Sequence, residues 1–363
     1  MKNPLLLLCL FAGSIGFAQV PVDLKGYQAK NGTNVTTQNN RLTINWPANP
    51  TETGRLVIDL TPNQPLFSSI QLSQRGAFKE IARALDAAFV LTVGKRDLIS
   101  QNGWNIFFDK TNKRPSKAYA VDLTKRTARV TTVGQRTVIR VGDISAATFT
   151  GAIEITVYNG SPLFNVAAVM ATEVDSTAIL YDAGFVTKQP VWTSLSWSDT
   201  DNKMQSIPAD LKQPNKAQAV KYRTIIGSNA NGSLALFPAP HQYFYPLDEA
   251  FNLDFTWYGT NYRSLVPDFG IGIRQDLMGD KRWVPWVNAP PKTQQRLNFF
   301  CLLSTDKPAQ ALAEVKTFTH GDSYKPVAGY KTMSSHFHNE FTTKVVLAGK
   351  PVPENPTFVK VFK

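Results

Sequence analysis

Short runs in which apolar and polar residues alternate, separated by turn residues, dominate this 363-residue chain. The clearest run is 151–160 (GAIEITVYNG), where apolar and polar residues alternate from 153 to 158 and Asn-Gly supplies a turn. Residues 126–133 (RTARVTTV) and 136–141 (RTVIRV) flank a two-residue Gly-Gln turn and predict a hairpin. The run 163–172 (LFNVAAVMAT) is continuously apolar, which is typical of a strand covered on both faces. This pattern predicts a β-sandwich.

Further short strands are expected at 178–181, 234–237, 269–274 and 296–303. Few helices are predicted. The spacing of Phe78, Ile81, Leu85 and Phe89 predicts one over 77–89, and 306–316 has Pro308 in its first turn. We therefore expect a mainly β fold, a large antiparallel two-sheet sandwich with few short helices.

The first 18 residues have the pattern of a signal peptide. Lys2 gives a short positive region, 5–11 form an apolar run, and Gly16 and Ala18 suit positions −3 and −1 of a cleavage site. The apolar run is too short to span a bilayer, so we expect export, to the periplasm or the medium, with no transmembrane segment. A lipoprotein signal at Cys9 is the alternative. The sandwich domain would occupy 19–325, with a division near residue 150 as an alternative.

Charge and cysteine content limit the function classes. The formal net charge of +12 becomes +11 when Lys2 is removed, and such a balance is compatible with an anionic partner such as an acidic polysaccharide. The Lys and Arg residues are scattered along the chain, however, so a basic surface without a ligand is the stronger interpretation of the charge. Nucleic acid is a poor candidate because the chain is expected to be exported and contains no dense basic run. Only Cys301 remains in the mature chain, inside an apolar run, and we expect it to be buried. The sequence does not indicate an oligomeric state.

The segment 241–291 is rich in aromatic and arginine side chains. Aromatic rings stack on the apolar faces of sugars, while Arg, Asn and Asp bind hydroxyls and carboxylates. The candidate ligand-binding residues are Trp257, Tyr258, Tyr262, Arg274, Asp276, Trp283 and Trp286. The alternative is that these aromatic side chains fill the core and brace long loops.

This stretch, with 151–185, resembles the β-supersandwich of galactose-mutarotase-like domains, over about 120–325 in total. The likeness lies in the rhythm of strand, tyrosine, turn and apolar strand. The resemblance implies a carbohydrate-related domain. Mutarotase activity would need a catalytic His and Glu in one cleft, and no spacing in this chain singles out such a pair.

His336 and His338 are separated by one residue at the end of a predicted strand, before a loop and a helix that begins near Asn355-Pro356. Residues i and i+2 of a strand share a face, so both imidazoles can bind one divalent metal ion, such as zinc or manganese. Two histidines do not complete a metal site. The alternative is that the pair is incidental.

Residues 330–362 resemble the opening of the polymerase and histidinol phosphatase (PHP) and amidohydrolase-type hydrolases, which begin with an HxH strand. The resemblance implies that 326–363 is the first strand, loop and helix of a truncated α/β domain. The chain would then be an accessory sandwich domain of a metal-dependent hydrolase, inactive alone. Two alternatives stay open: a non-catalytic carbohydrate-binding or structural sandwich, and a sandwich enzyme that acts on carbohydrate in the aromatic cleft.

Overall fold

The computed structural model describes residues 19–95, 115–239, 254–275 and 287–322, together with 328–329 and 347–349. The chain divides into two units, Met1–Ser323 and Tyr324–Lys363. All strands and the helix reported below belong to the first unit. The predicted signal peptide, the HxH pair and the predicted helix near Pro356 lie outside the described residues.

The described strands form two large sheets. The first has ten strands, in the spatial order β1 (Val22–Gly26), β8 (Asp122–Val133), β9 (Arg136–Ala146), β10 (Phe149–Tyr158), β11 (Leu163–Ala171), β21 (Gln295–Ser304), β17 (Gly232–Phe237), β16 (Ile225–Asn229), β13 (Ser194–Ser198) and β14 (Met204–Pro208). The second has eleven, β15 (Lys216–Gln218), β18 (Thr256–Gly259), β19 (Phe269–Ile273), β12 (Thr177–Thr187), β6 (Ala77–Lys95), β5 (Phe67–Gln74), β4 (Thr53–Asp59), β3 (Arg41–Pro47) and β2 (Asn34–Gln38), with β20 (Val287–Asn288) paired to β12 and β7 (Ser116–Ala120) to β6. Pairing between these strands is antiparallel, except that β1 runs parallel to β8. The mainly β two-sheet prediction is confirmed.

The inner faces of the two sheets enclose one large apolar core. Phe164 and Phe299 from the ten-stranded sheet meet Phe67 and Phe185 from the eleven-stranded sheet. Phe185 lies with its ring centroid 5.1 Å from both Phe67 and Phe299, in edge-to-face geometry, an arrangement that aromatic quadrupoles favour. Cys301 is fully buried in the same core, as predicted. The sheets are therefore held together by burial of apolar area.

The strongest sequence signals correspond to observed strands. The hairpin predicted over 126–141 is β8 and β9, joined by the Gly134-Gln135 turn. The alternating run is β10, and the continuously apolar run is β11, of which every residue but the last is buried. These strands lie side by side in the ten-stranded sheet.

The helix predicted over 77–89 is wrong, because this segment lies within the 19-residue strand β6. Leu85 and Phe89 are four residues apart, and that spacing places side chains on one face of a strand as well as of a helix. Ile81 reaches the same face across a register shift in the pairing of β6 with β5. All three lie in the core. Phe78 instead packs against Arg55, whose Cζ atom lies 3.5 Å from the centroid of the Phe78 ring.

The helix predicted over 306–316 is confirmed as α1 (Pro308–Thr319). Its buried residues Ala311, Leu312 and Val315 pack with Ile226 and other side chains from the outer face of the ten-stranded sheet. One end of that outer face is therefore covered by the helix. In the described part of the chain, no helix has the length and apolarity needed to cross a membrane.

Candidate functional site

The predicted aromatic cleft is not one surface in the structure. Trp257 and Tyr258 are neighbours on β18, so their side chains point to opposite faces of the sheet. Tyr258 is in the core, stacked on Trp197 with ring centroids 5.7 Å apart, whereas Trp257 is on the outer face. Trp257, Tyr258 and Tyr262 are each no more than 3% exposed, so these rings are used in packing. Asp276, Trp283 and Trp286 lie outside the described residues.

The outer face of the eleven-stranded sheet does bring Tyr262 and Arg274 together, around a carboxylate that the sequence did not single out. We call Asp182, Tyr262, Arg263 and Arg274 the Asp182 cluster. Tyr262 Oη donates to Asp182 Oδ2 at 3.1 Å, and Arg263 Nη1 donates to the same oxygen at 2.9 Å. The backbone N–H of Gln275 donates to Asp182 Oδ1 at 3.0 Å. Arg274 Nε donates to Tyr262 Oη at 3.3 Å.

Aromatic packing fixes the position of Tyr262 in this cluster. Tyr262 stacks on Trp257, with ring centroids 4.0 Å apart and an interplanar angle of 14°. Gly270 and Gly272 leave the space for the indole, because a Cβ on either would collide with it. Burial, and then the Asp182 carboxylate, raise the pKa of Tyr262 well above its usual value. The phenol therefore stays protonated and acts as a donor to Asp182.

The outer face of the ten-stranded sheet carries a more open set of charges. Arg129 lies opposite Arg140, which lies opposite Glu154, so the three share one face of neighbouring strands. Arg140 Nη1 is 2.9 Å from Glu154 Oε1, and Arg296 Nη1 is 2.6 Å from Oε2. Arg140 and Arg296 are still 42% and 41% exposed, whereas Glu154 is only 18% exposed. The carboxylate thus orients two guanidiniums that remain open to solvent.

An aromatic pair borders these charges. Tyr158 lies opposite the exposed Arg136 on β9, and its ring stacks on Phe300 with centroids 5.9 Å apart. Burial raises the pKa of the half-buried Tyr158 phenol, and Arg296 and Arg136 oppose that rise. We call Arg129, Arg136, Arg140 and Arg296, with Glu154 and Tyr158, the arginine face. It combines fixed cations with a partly accessible ring.

A groove of about 840 Å³ adjoins one end of the arginine face. Its lining includes Asp23, Arg129, Arg140 and Asp143. Arg129 Nε lies 3.1 Å from Asp23 Oδ2, and the Arg129 side chain is 64% exposed. Four arginines outnumber these two carboxylates and Glu154, so the surface is net positive. An anion can therefore approach from the groove onto the sheet.

Part of this site can be predicted from the sequence. Arg129 and Arg140 belong to the predicted hairpin, whose two-residue turn fixes which residues face each other. His336 and His338 lie outside the described residues, so the metal prediction is not tested by the structure. Among the residues that the structure does describe, no three His, Cys, Asp or Glu side chains are grouped as a metal site would require.

No protein-family model matches the sequence, and no curated protein matches it. Solved structures with a similar arrangement include an α-mannosidase from Enterococcus faecalis V583, at 11% identity and a TM-score of 0.37, covering 80% of this chain and 32% of the mannosidase. A family 36 α-galactosidase from Geobacillus stearothermophilus has 9% identity and a TM-score of 0.42, covering 75% and 41%. A galactose mutarotase related enzyme from Lactobacillus acidophilus has 10% identity and a TM-score of 0.32, covering 75% and 97%. The chain spans less than half the length of either glycosidase.

Proposed function

We propose that the sandwich domain binds an anionic polysaccharide on the arginine face, as an accessory domain of an exported hydrolase. The observation that carries the proposal is the placement of Arg129, Arg136, Arg140 and Arg296 on one open sheet face, beside the half-buried Tyr158 ring.

The charges favour an extended polyanion over a small neutral ligand. Guanidiniums bind carboxylates through paired N–H donors and stay charged at any physiological pH. Those of Arg140 and Arg296 are held by one carboxylate, so their side chains are already ordered before a ligand arrives. Less conformational entropy is then lost on binding.

The geometry also favours a chain that runs across the strands. Arg129 is on β8 and Arg296 is on β21, four strand spacings away in the sheet order. Because neighbouring strands are about 4.8 Å apart, β8 and β21 are separated by about 19 Å. A ligand that bridges them must be an oligomer of several sugars.

The aromatic pair supports a sugar polymer as the anion. The Tyr158 ring offers a flat apolar surface beside the cations, and the exposed guanidiniums of Arg140 and Arg296 supply hydrogen-bond donors. Sugar rings need both an apolar platform and hydrogen-bonding groups.

Affinity electrophoresis through gels that contain polygalacturonate, a neutral galactan or single-stranded DNA tests this assignment. We expect retardation by polygalacturonate alone, weaker at high salt, because exposed charges are screened. The variant Arg140→Gln/Arg296→Gln should migrate freely, since glutamine keeps a donor for Glu154 and removes two charges. Arg83→Ala, an exposed arginine on the other sheet, is the matched control. Equal retardation by the neutral galactan, or preference for DNA, would overturn the proposal.

Export and the link to a hydrolase are supported by the sequence alone. The leader pattern of residues 1–18 supports export. His336 and His338 support a zinc or manganese site because their spacing suits one cation. Elemental analysis of the purified full chain tests the metal: we expect zinc or manganese in the wild type and less in His336→Ala, with His320→Ala, at the end of α1, as control. Equal metal content in all three would contradict it.

A further inference from the structure

The Asp182 cluster presents only hydrogen-bond donors to its surroundings. The Asp182 side chain is 4% exposed, and its oxygens accept from Tyr262, Arg263 and the backbone N–H of Gln275. Tyr262 Oη is itself an acceptor for Arg274 Nε. Each acceptor oxygen of the cluster therefore already has a donor, from the cluster itself or from the backbone of Gln275.

The Arg263 guanidinium carries donors that have no partner among the described residues. Arg263 uses Nη1 alone, toward Asp182 and Thr92 Oγ1 at 3.0 Å, and its side chain is 22% exposed. Nη2 and Nε of Arg263 make no hydrogen bond within the described part of the chain. Because the Arg263 side chain is partly exposed, this free edge of its guanidinium is the part of the cluster that a ligand can reach.

We propose that the Asp182 cluster is a second binding site, for the carboxylate of a single acidic sugar, with Arg263 as its anchor. One edge of the guanidinium is fixed by Asp182 and Thr92, and the free edge offers the parallel N–H pair that a carboxylate accepts. Asp182 orients Arg263 and does not touch the ligand. The site lies on the eleven-stranded sheet and does not depend on the arginine face.

Calorimetric titration of the full chain with galacturonate, galactose and acetate tests this site. Galacturonate is expected to bind, galactose not, and acetate more weakly than galacturonate. Arg263→Lys keeps the ion pair with Asp182 but loses the free fork, so affinity for galacturonate should fall about tenfold. Near-ultraviolet circular dichroism checks that this variant is folded.

Arg140→Gln/Arg296→Gln should bind galacturonate as the wild type does, which separates this site from the arginine face. Binding that is unchanged in folded Arg263→Lys would overturn the proposal, as would no heat of binding with galacturonate. Loss in the Arg140/Arg296 variant alone would assign the monosaccharide to the arginine face instead. Equal affinity for acetate would reduce the site to a general carboxylate site and contradict a sugar ligand.

Discussion

Arg129 and Arg140 lie directly opposite each other on neighbouring antiparallel strands, with both side chains on the outer face of the ten-stranded sheet. Like charges in facing positions destabilise a sheet. The structure offsets this with a carboxylate on each side, Asp23 beside Arg129 and Glu154 beside Arg140. A fold optimised for stability alone has no need of such a pair, and we interpret it as part of a surface for anions.

Glu154→Gln is expected to strengthen polyanion binding while weakening the fold. The carboxylate neutralises Arg140 and Arg296, so its removal adds one positive charge to the arginine face. We expect affinity for polygalacturonate to rise about twofold to fivefold and the free energy of unfolding to fall by about 1–3 kcal/mol. Calorimetry and urea denaturation measure the two effects. Weaker binding by a folded variant would mean that Glu154 contacts the ligand itself.

Gly272→Ala is expected to destabilise the fold by about 1–3 kcal/mol or more. A Cβ at this position would collide with the Trp257 indole and with the carbonyl oxygen of Ala183. Urea denaturation gives the change in free energy of unfolding. Gly76→Asn is the control, because nothing lies within 4 Å of that site and asparagine tolerates its positive φ. Wild-type stability of Gly272→Ala would contradict the stacked position of Trp257.

The sequence predicts the strands far better than their pairing. The two-residue turn at Gly134-Gln135 fixes the register of β8 with β9, so the Arg129–Arg140 pair could have been read from the hairpin. Arg296 is 142 residues from Glu154, and no local pattern encodes the pairing of β11 with β21 that brings them together. The position of Arg296 beside Glu154 can therefore be found only from the tertiary structure.

Two errors of interpretation have simple physical causes. Ile81, Leu85 and Phe89 satisfy a helix and a strand equally, and pairing with β5 and β12 decided the outcome. Trp257 and Tyr258 were assigned to one cleft although adjacent strand residues face opposite ways. Asp182 could not be found from sequence, because its donors come from segments about 80 to 93 residues away.

Asp86→Asn is expected to stabilise the protein near neutral pH. Burial raises the pKa of the Asp86 carboxyl above its usual range, and this outweighs the opposing Leu66 N–H and Lys125. Because the folded state then takes up a proton before the unfolded state as the pH falls, the ionised carboxyl destabilises the fold above its raised pKa. Asparagine removes that charge and keeps an oxygen for the Leu66 amide.

The advantage of Asp86→Asn over the wild type should be largest near about pH 7 and should shrink as the pH falls toward about pH 4. Urea denaturation at a series of pH values, with Asp201→Asn as an exposed reference, measures the difference. An advantage that grows as the pH falls would show that the sign is wrong.

Cys301 is expected to be unreactive in the folded protein. Its side chain is fully buried, and burial raises the pKa of the thiol well above its usual value, so the reactive thiolate is scarce. Ellman's reagent should label it only after unfolding in guanidinium chloride. Rapid labelling of the native chain would contradict its place between the sheets.

The most direct test of the central claim is the dissociation constant of polygalacturonate for the wild type and for Arg140→Gln/Arg296→Gln, measured by calorimetry at low and moderate salt. Removal of two fixed cations should weaken binding by about tenfold or more at low salt, and the difference should narrow as salt is added. The exposed control Arg83→Ala should bind as the wild type does. Equal dissociation constants for the wild type and the double variant at low salt would contradict the assignment of the arginine face as the polysaccharide-binding surface.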